Sequence, residues 1–62
     1  MSLQTAIETT PEPLDPDAYM TRVRIGRGAW QDGVRNAPDR ETAVRWTREM
    51  IRTGRIRRQE PA

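Results

Sequence analysis

From Tyr19 to Ile25 the chain alternates, with Tyr19, Thr21, Val23 and Ile25 on one face and Met20, Arg22 and Arg24 on the other. A period of two in β-branched and aromatic residues predicts a half-buried strand. Gly26-Arg27-Gly28 ends that strand and reads as a hairpin turn. Its spacing matches neither the phosphate loop nor the dinucleotide fingerprint, which need longer glycine patterns and a following helix. Ala29 to Asn36 then places Trp30 and Val34 around Asp32-Gly33, a dipeptide that favours two-residue hairpin turns. Two short strands, Ala29–Gln31 and Val34–Asn36, are one reading. One longer strand bulged at Gly33 and a glycine-weakened helix are the others.

Asp39 to Gly54 changes period. Ala43, Val44, Trp46, Thr47, Met50, Ile51 and Gly54 cover one side at about 100° per residue. Asp39 follows Pro38 as an N-cap, Glu41 lies in the first turn, Arg48 and Arg52 lie toward the last, and Gly54 suits the position just past the end. These signals predict an amphipathic helix with Arg45, Arg48, Arg52 and Arg55 on the side opposite the apolar arc.

Residues 1–18 contrast with this. Pro11, Pro13 and Pro16 come at short spacing among Glu8, Glu12, Asp15 and Asp17, and only Leu3, Ala6 and Ile7 cluster as apolar residues. Each proline removes a main-chain donor and biases its predecessor away from helix, so the segment is expected to be a disordered acidic arm. The domain reading is an arm over 1–18, a folded unit over 19–56 and a basic flexible tail over 57–62. The fold class is α+β: a small antiparallel hairpin or three-stranded meander followed by one C-terminal amphipathic helix. The expected core is Tyr19, Val23, Ile25, Trp30, Val34, Ala43, Val44, Trp46, Met50 and Ile51, with both tryptophans packed inside rather than stacked on a ligand.

Composition sharpens this. A chain of 62 residues holds one domain, and 34% hydrophobic against 32% charged residues leaves a small core. Cysteine and histidine are both absent. No disulfide can staple the fold, and a zinc site would have only carboxylates to draw on, so no cofactor or metal is expected. The commonest general bases and the cysteine nucleophile are missing too, and Thr42 and Thr47 have no base near them in sequence. The expectation is a non-enzymatic protein. No apolar run approaches a membrane span and the first residues lack the pattern of a signal peptide, which makes the cytoplasm the default setting.

The net charge of +2 conceals an asymmetry. Residues 1–18 carry four acids and no base, hence −4, while residues 19–62 carry eleven arginines and five acids, hence +6. Every basic residue is arginine, the better bidentate partner for phosphate and carboxylate. The candidate nucleic-acid-binding residues are Arg22 and Arg24 on the strand, Arg27 on the turn, the helix row Arg45, Arg48, Arg52 and Arg55, and Arg57 and Arg58 beyond it.

Two layouts would use them. In one, three strands and a helix present Arg22, Arg24 and Arg35 from a sheet, an order loosely similar to sheet-reading DNA-binding modules. In the other, Tyr19–Ile25 pairs with its copy in a homodimer, as in ribbon-helix-helix repressors, against which the glycines of residues 27–36 argue. The preferred reading is a small regulatory protein binding nucleic acid, DNA before RNA. The alternative is an adaptor or inhibitor acting on an acidic protein surface, with the arginine stripe otherwise a solvated helix face supported by Glu41 and Glu49 ion pairs.

Overall fold

A computed structural model describes residues 4–59. It is an α+β fold: strands β1 (Thr5–Glu12), β2 (Asp15–Ile25) and β3 (Gln31–Asp32) form an antiparallel sheet in the order β1-β2-β3, and helix α1 (Arg40–Arg52) follows. Residues 1–3 of the expected arm, and 60–62 of the expected tail, lie outside the described residues.

The largest departure from expectation is β1. Residues 5–12, assigned above to a disordered arm, pair along their length with β2, from Thr5 opposite Ile25 to Pro11 opposite Tyr19. Pro11 is tolerated because β1 is an edge strand, where a missing N–H need not break the ladder. Pro13 and Leu14 close the hairpin, and the register shifts beyond Pro11 so that Glu12 faces Asp15.

Glu12 is only 5% exposed. Its carboxylate accepts bonds from Arg35 Nε (3.0 and 3.1 Å), from Arg35 Nη2 (2.8 Å) and from the Asn36 main-chain N–H (2.8 Å). The Arg35 bonds, opposed by desolvation and aided by the Asn36 amide, hold its pKa below the usual 4.5. Asn36 reaches this position with φ of 58°, a left-handed conformation that asparagine enters more readily than most residues. An acid of the supposed arm is therefore the peg that fixes the hairpin to the segment after β3.

A folded-state pKa below the unfolded one stabilises the fold above the usual glutamate value and loses that effect as pH falls through the lowered pKa. Glu12→Gln is expected to melt earlier than the unaltered chain at neutral pH and to lose less on acidification. Thermal melts from about pH 7 to about pH 3 check this; parallel curves for the two proteins would contradict it.

The segment after Gly28 is the bulged alternative and not the Asp32-Gly33 hairpin. Gln31 and Asp32 face Val23 and Arg22. Gly33 N–H donates to Thr21 O (2.8 Å) while Thr21 N–H donates to Val34 O (3.1 Å), so two residues oppose one. Beyond β3 the chain leaves the strand conformation but stays beside β2 as far as Ala37, which exchanges main-chain bonds with Tyr19 in an isolated bridge. Close approach is the reason for glycine at 33: a Cβ there would stand 2.1 Å from Thr21 Oγ1.

Helix α1 begins as expected, with Asp39 Oδ1 accepting from Thr42 N–H at 2.7 Å. It ends in a Schellman arrangement: Gly54, at φ 82°, donates to Ile51 O and Arg55 donates to Met50 O. The reversal sends residues 55–59 back toward the sheet. Ile56 is buried against Val23 and Ile25, with Met50 and Ile51 around them, and Ala29 N–H donates to Gln59 O at 2.8 Å. Residues 57–59, expected to be part of a flexible tail, thus extend a segment tied to the fold.

A second cluster joins Val34, Ala37 and Ala43, flanked by Tyr19 and Met50. Between the two clusters, hydroxyls bridge sheet and helix. Val34 N–H donates to Thr21 Oγ1 (2.9 Å), and Thr47 Oγ1 donates to Ala43 O (2.7 Å). The 2.7 Å contact between the two hydroxyls must then use the Thr21 proton. Every polar atom of this fully buried pair is satisfied.

The tryptophans are not core residues. Trp46 is 44% exposed, because the inward line of α1 runs through Ala43, Thr47 and Met50 and leaves position 46 on a flank. Trp30 is half-buried on the sheet face away from the helix.

Candidate nucleic-acid interface

One helix covers one face of the sheet. Alternation along β2 sends Tyr19, Thr21, Val23 and Ile25 toward α1 and leaves Met20, Arg22 and Arg24 on the open face. The β1–β2 register sets Ala6 beside Arg24, Glu8 beside Arg22 and Thr10 beside Met20. On the other flank Asp32 stands opposite Arg22, and extending that register brings Trp30 opposite Arg24. The guanidinium of Arg22 lies over the Trp30 ring, 5.3 Å from its centroid, within the range of a cation–π contact. Arg27 sits in the turn between β2 and β3, whose Gly28 N–H donates to Ile25 O at 3.1 Å. With Arg24, Trp30 and Ala6 it lines a hollow of about 360 Å³ on this face. Among the described residues Arg22, Arg24 and Arg27 enter no ion pair.

The helix row behaves differently. Arg45 pairs with Glu41 at 3.4 Å, and Arg52 Nε donates to Glu49 at 3.1 Å with a second contact through Nη2. The Arg52 bonds keep the Glu49 carboxyl below its usual range. Glu41, Arg45, Arg48, Glu49 and Arg52 therefore form an exposed lattice of alternating sign, with Arg48 alone unpaired among the described members. Arg48 also lines a groove between α1 and β1 with Thr5, Ile7, Val44 and Ile51.

Arg55 lies past the helix end and does not continue the row. Arg57 Nε donates to Gly54 O at 3.0 Å, and the Arg58 stem passes over Gly28. Arg35, expected to project from the sheet, is held by Glu12. Arg40, which the sequence did not single out, spans Tyr19 at 5.0 Å and bonds Thr9 at 3.2 Å.

The nine candidate arginines thus do not form one surface: Arg22, Arg24 and Arg27 share the open sheet face, Arg45, Arg48 and Arg52 lie on the helix, and Arg55, Arg57 and Arg58 follow it on the returning segment. Trp30 is the member that sequence reading missed. Its signal was present in the alternation, which, carried through the turn, puts residue 30 on the face of Arg22 and Arg24.

Among the described residues no group of three or more acids, histidines or cysteines could hold a metal, and no helix is long and apolar enough to cross a membrane. No protein-family model, curated protein or solved structure matches the chain.

Proposed function

We propose that this chain is a small, non-enzymatic, cytoplasmic regulatory protein that binds duplex DNA with the open face of its sheet. The observation that carries the reading is the grouping of Arg22, Arg24 and Arg27 around Trp30 on the sheet face that helix α1 does not cover. A β-ribbon enters the roughly 12 Å major groove, where a forked guanidinium bonds guanine O6 and N7 together. Arg22, steadied on Trp30, and Arg24 are the base readers. Arg27, at the turn, meets a phosphate. Glu8 and Asp32, beside Arg22, can accept from cytosine N4 and reject phosphate, which gives the face a preference in place of general affinity. Arg45 and Arg52, already neutralised by Glu41 and Glu49, serve as solvated helix surface.

A salt titration of binding to duplex DNA, duplex RNA and single strands tests this. Affinity for duplex DNA is expected to fall with salt at about 0.9 logarithmic units per neutralised phosphate. Arg24→Gln is expected to lose roughly 1–3 kcal/mol and relax base preference, Arg27→Gln to weaken all sequences alike, and Arg45→Gln to change little. Loss confined to the helix variants would move the interface to α1. No binding to any nucleic acid at low salt would overturn the proposal and favour an acidic protein surface as the partner of the same arginines.

A further inference from the structure

Strand β1 is the outer edge of the sheet, and its free groups can be assigned. Tyr19 and Thr21 turn their main-chain groups toward the β3 side, where they bond Ala37, Val34 and Gly33. Gln4 instead accepts from Gly26 N–H at 2.6 Å within the hairpin. In an antiparallel ladder this alternates by residue, so Thr5, Ile7 and Thr9, opposite Ile25, Val23 and Thr21, direct their N–H and C=O away from β2. Beyond them Pro11 faces outward with no N–H. Arg40 takes one lone pair of the Thr9 carbonyl, and a carbonyl has two. Beside this edge lies the groove of about 570 Å³ walled by Ile7, Val44 and Ile51. Among the described residues no strand pairs with this edge, and an unpaired edge beside a groove that mixes Ile7, Val44 and Ile51 with Thr5 and Arg48 is a template for another strand.

We propose that the occupant is a second copy of this chain, added antiparallel across β1 about a two-fold axis at Ile7. The outward-facing set is symmetric about that residue. Ile7 exchanges both bonds with Ile7 of the second copy, and Thr5 exchanges with Thr9 of the second copy on each side. Pairing shifted toward Pro11 would set its missing N–H against Ile7, so the proline disfavours slips in that direction.

Charge agrees with that register. On the open face Ala6 falls opposite Glu8 of the second copy, and the neighbour of Ala6 within its own sheet is Arg24. The alanine side chain is a single methyl, leaving room for that carboxylate to reach over it to the unpaired guanidinium, once on each side of the axis. On the helix face the Ile7 pair closes the groove that each copy leaves open. The product is a six-stranded sheet with both helices on one side and the two open faces continuous on the other. The two-fold pairing leaves Trp30 and Arg22 uncovered but engages Glu8 and Arg24, which the nucleic-acid face also uses, so it is tested without nucleic acid.

The chain is short enough for total synthesis, which allows the Ile7 amide alone to be methylated. That N–H points out of the sheet, so the modified chain is expected to keep its circular dichroism spectrum. Sedimentation equilibrium without nucleic acid is expected to show a concentration-dependent dimer for the unmodified chain. The dissociation constant should rise at least tenfold on methylation, and rise also for Glu8→Gln. A chain that stays monomeric up to about 1 mM, or a dimer indifferent to the Ile7 methyl group, overturns the proposal. So does an amide at Ile7 that becomes protected from exchange only when an unrelated extended peptide is added.

Discussion

Replacing Gly33 with alanine is expected to leave little folded protein. The added Cβ would lie 2.1 Å from Thr21 Oγ1 and 3.2 Å from both Thr21 Cβ and Val23 Cγ2. Thr21 cannot yield easily. Its hydroxyl takes the Val34 N–H and gives its proton to Thr47, which is bonded in turn to the Ala43 carbonyl. Pushing it aside adds the cost of overpacking, about 1–3 kcal/mol, to that of stranding buried polar groups, again about 1–3 kcal/mol. A chain this small has a few kcal/mol in all. Urea unfolding followed by circular dichroism measures the loss. A second variant, Gly33→Ala with Thr21→Ala, removes the obstructing hydroxyl, and its loss should fall short of the sum of the single changes. An unchanged midpoint for Gly33→Ala would show that the sheet accommodates the methyl group.

Ile56→Ala is expected to come close to it, at about 2–5 kcal/mol, the range for truncating a buried aliphatic to alanine. Ile56 is 5% exposed and completes the cluster of Val23 and Ile25 from the far side of the helix. The chain is held there by the Met50 carbonyl, which accepts from Arg55 and Ile56, and by the Ala29–Gln59 bond. The same urea titration reads the effect. A loss below that of an exposed-site control such as Leu14→Ala would mean that the last segment packs loosely and that the core closes without it.

Residues differ in how far their roles can be read locally. Helix α1 was legible because its signals are local: Asp39 caps its own third residue on, and Gly54 supplies its own positive φ. Strand β2 was legible because its alternation is complete within seven residues. Strand β1 was not, since Ile7 is its one large aliphatic residue and prolines and acids surround it. What stabilises it is pairing with β2 and the Glu12–Arg35 bond, across 23 positions of sequence.

The burial of Thr47 and Thr21 has the same origin. Each is an ordinary polar residue until the other is beside it. Trp46 was misplaced because a broad apolar arc does not say where its centre lies, and the centre is set by small residues that let the helix approach the sheet. Ile56 was hidden among Arg55, Arg57 and Arg58, whose charge described the segment well and its packing not at all.

At the interface, charge counting identified the arginines without dividing them. The division comes from the acids: Glu41 and Glu49 stand one helical turn from Arg45 and Arg52 and occupy them, while Arg24 has only Ala6 and Trp30 for cross-strand neighbours.

The two indoles give the molecule an optical consequence. Trp30 lies beneath a guanidinium on the open face, and Trp46 stands nearly half in solvent on the helix. With no other tryptophan in the chain, fluorescence carries two separable signals, one from each side of a sheet a single layer thick. A ligand seated on the open face quenches the first and spares the second, a helix-bound one does the reverse, and loss of the fold equalises them. The chain is thus its own two-sided reporter, and replacing either indole with phenylalanine assigns a change in emission to one face.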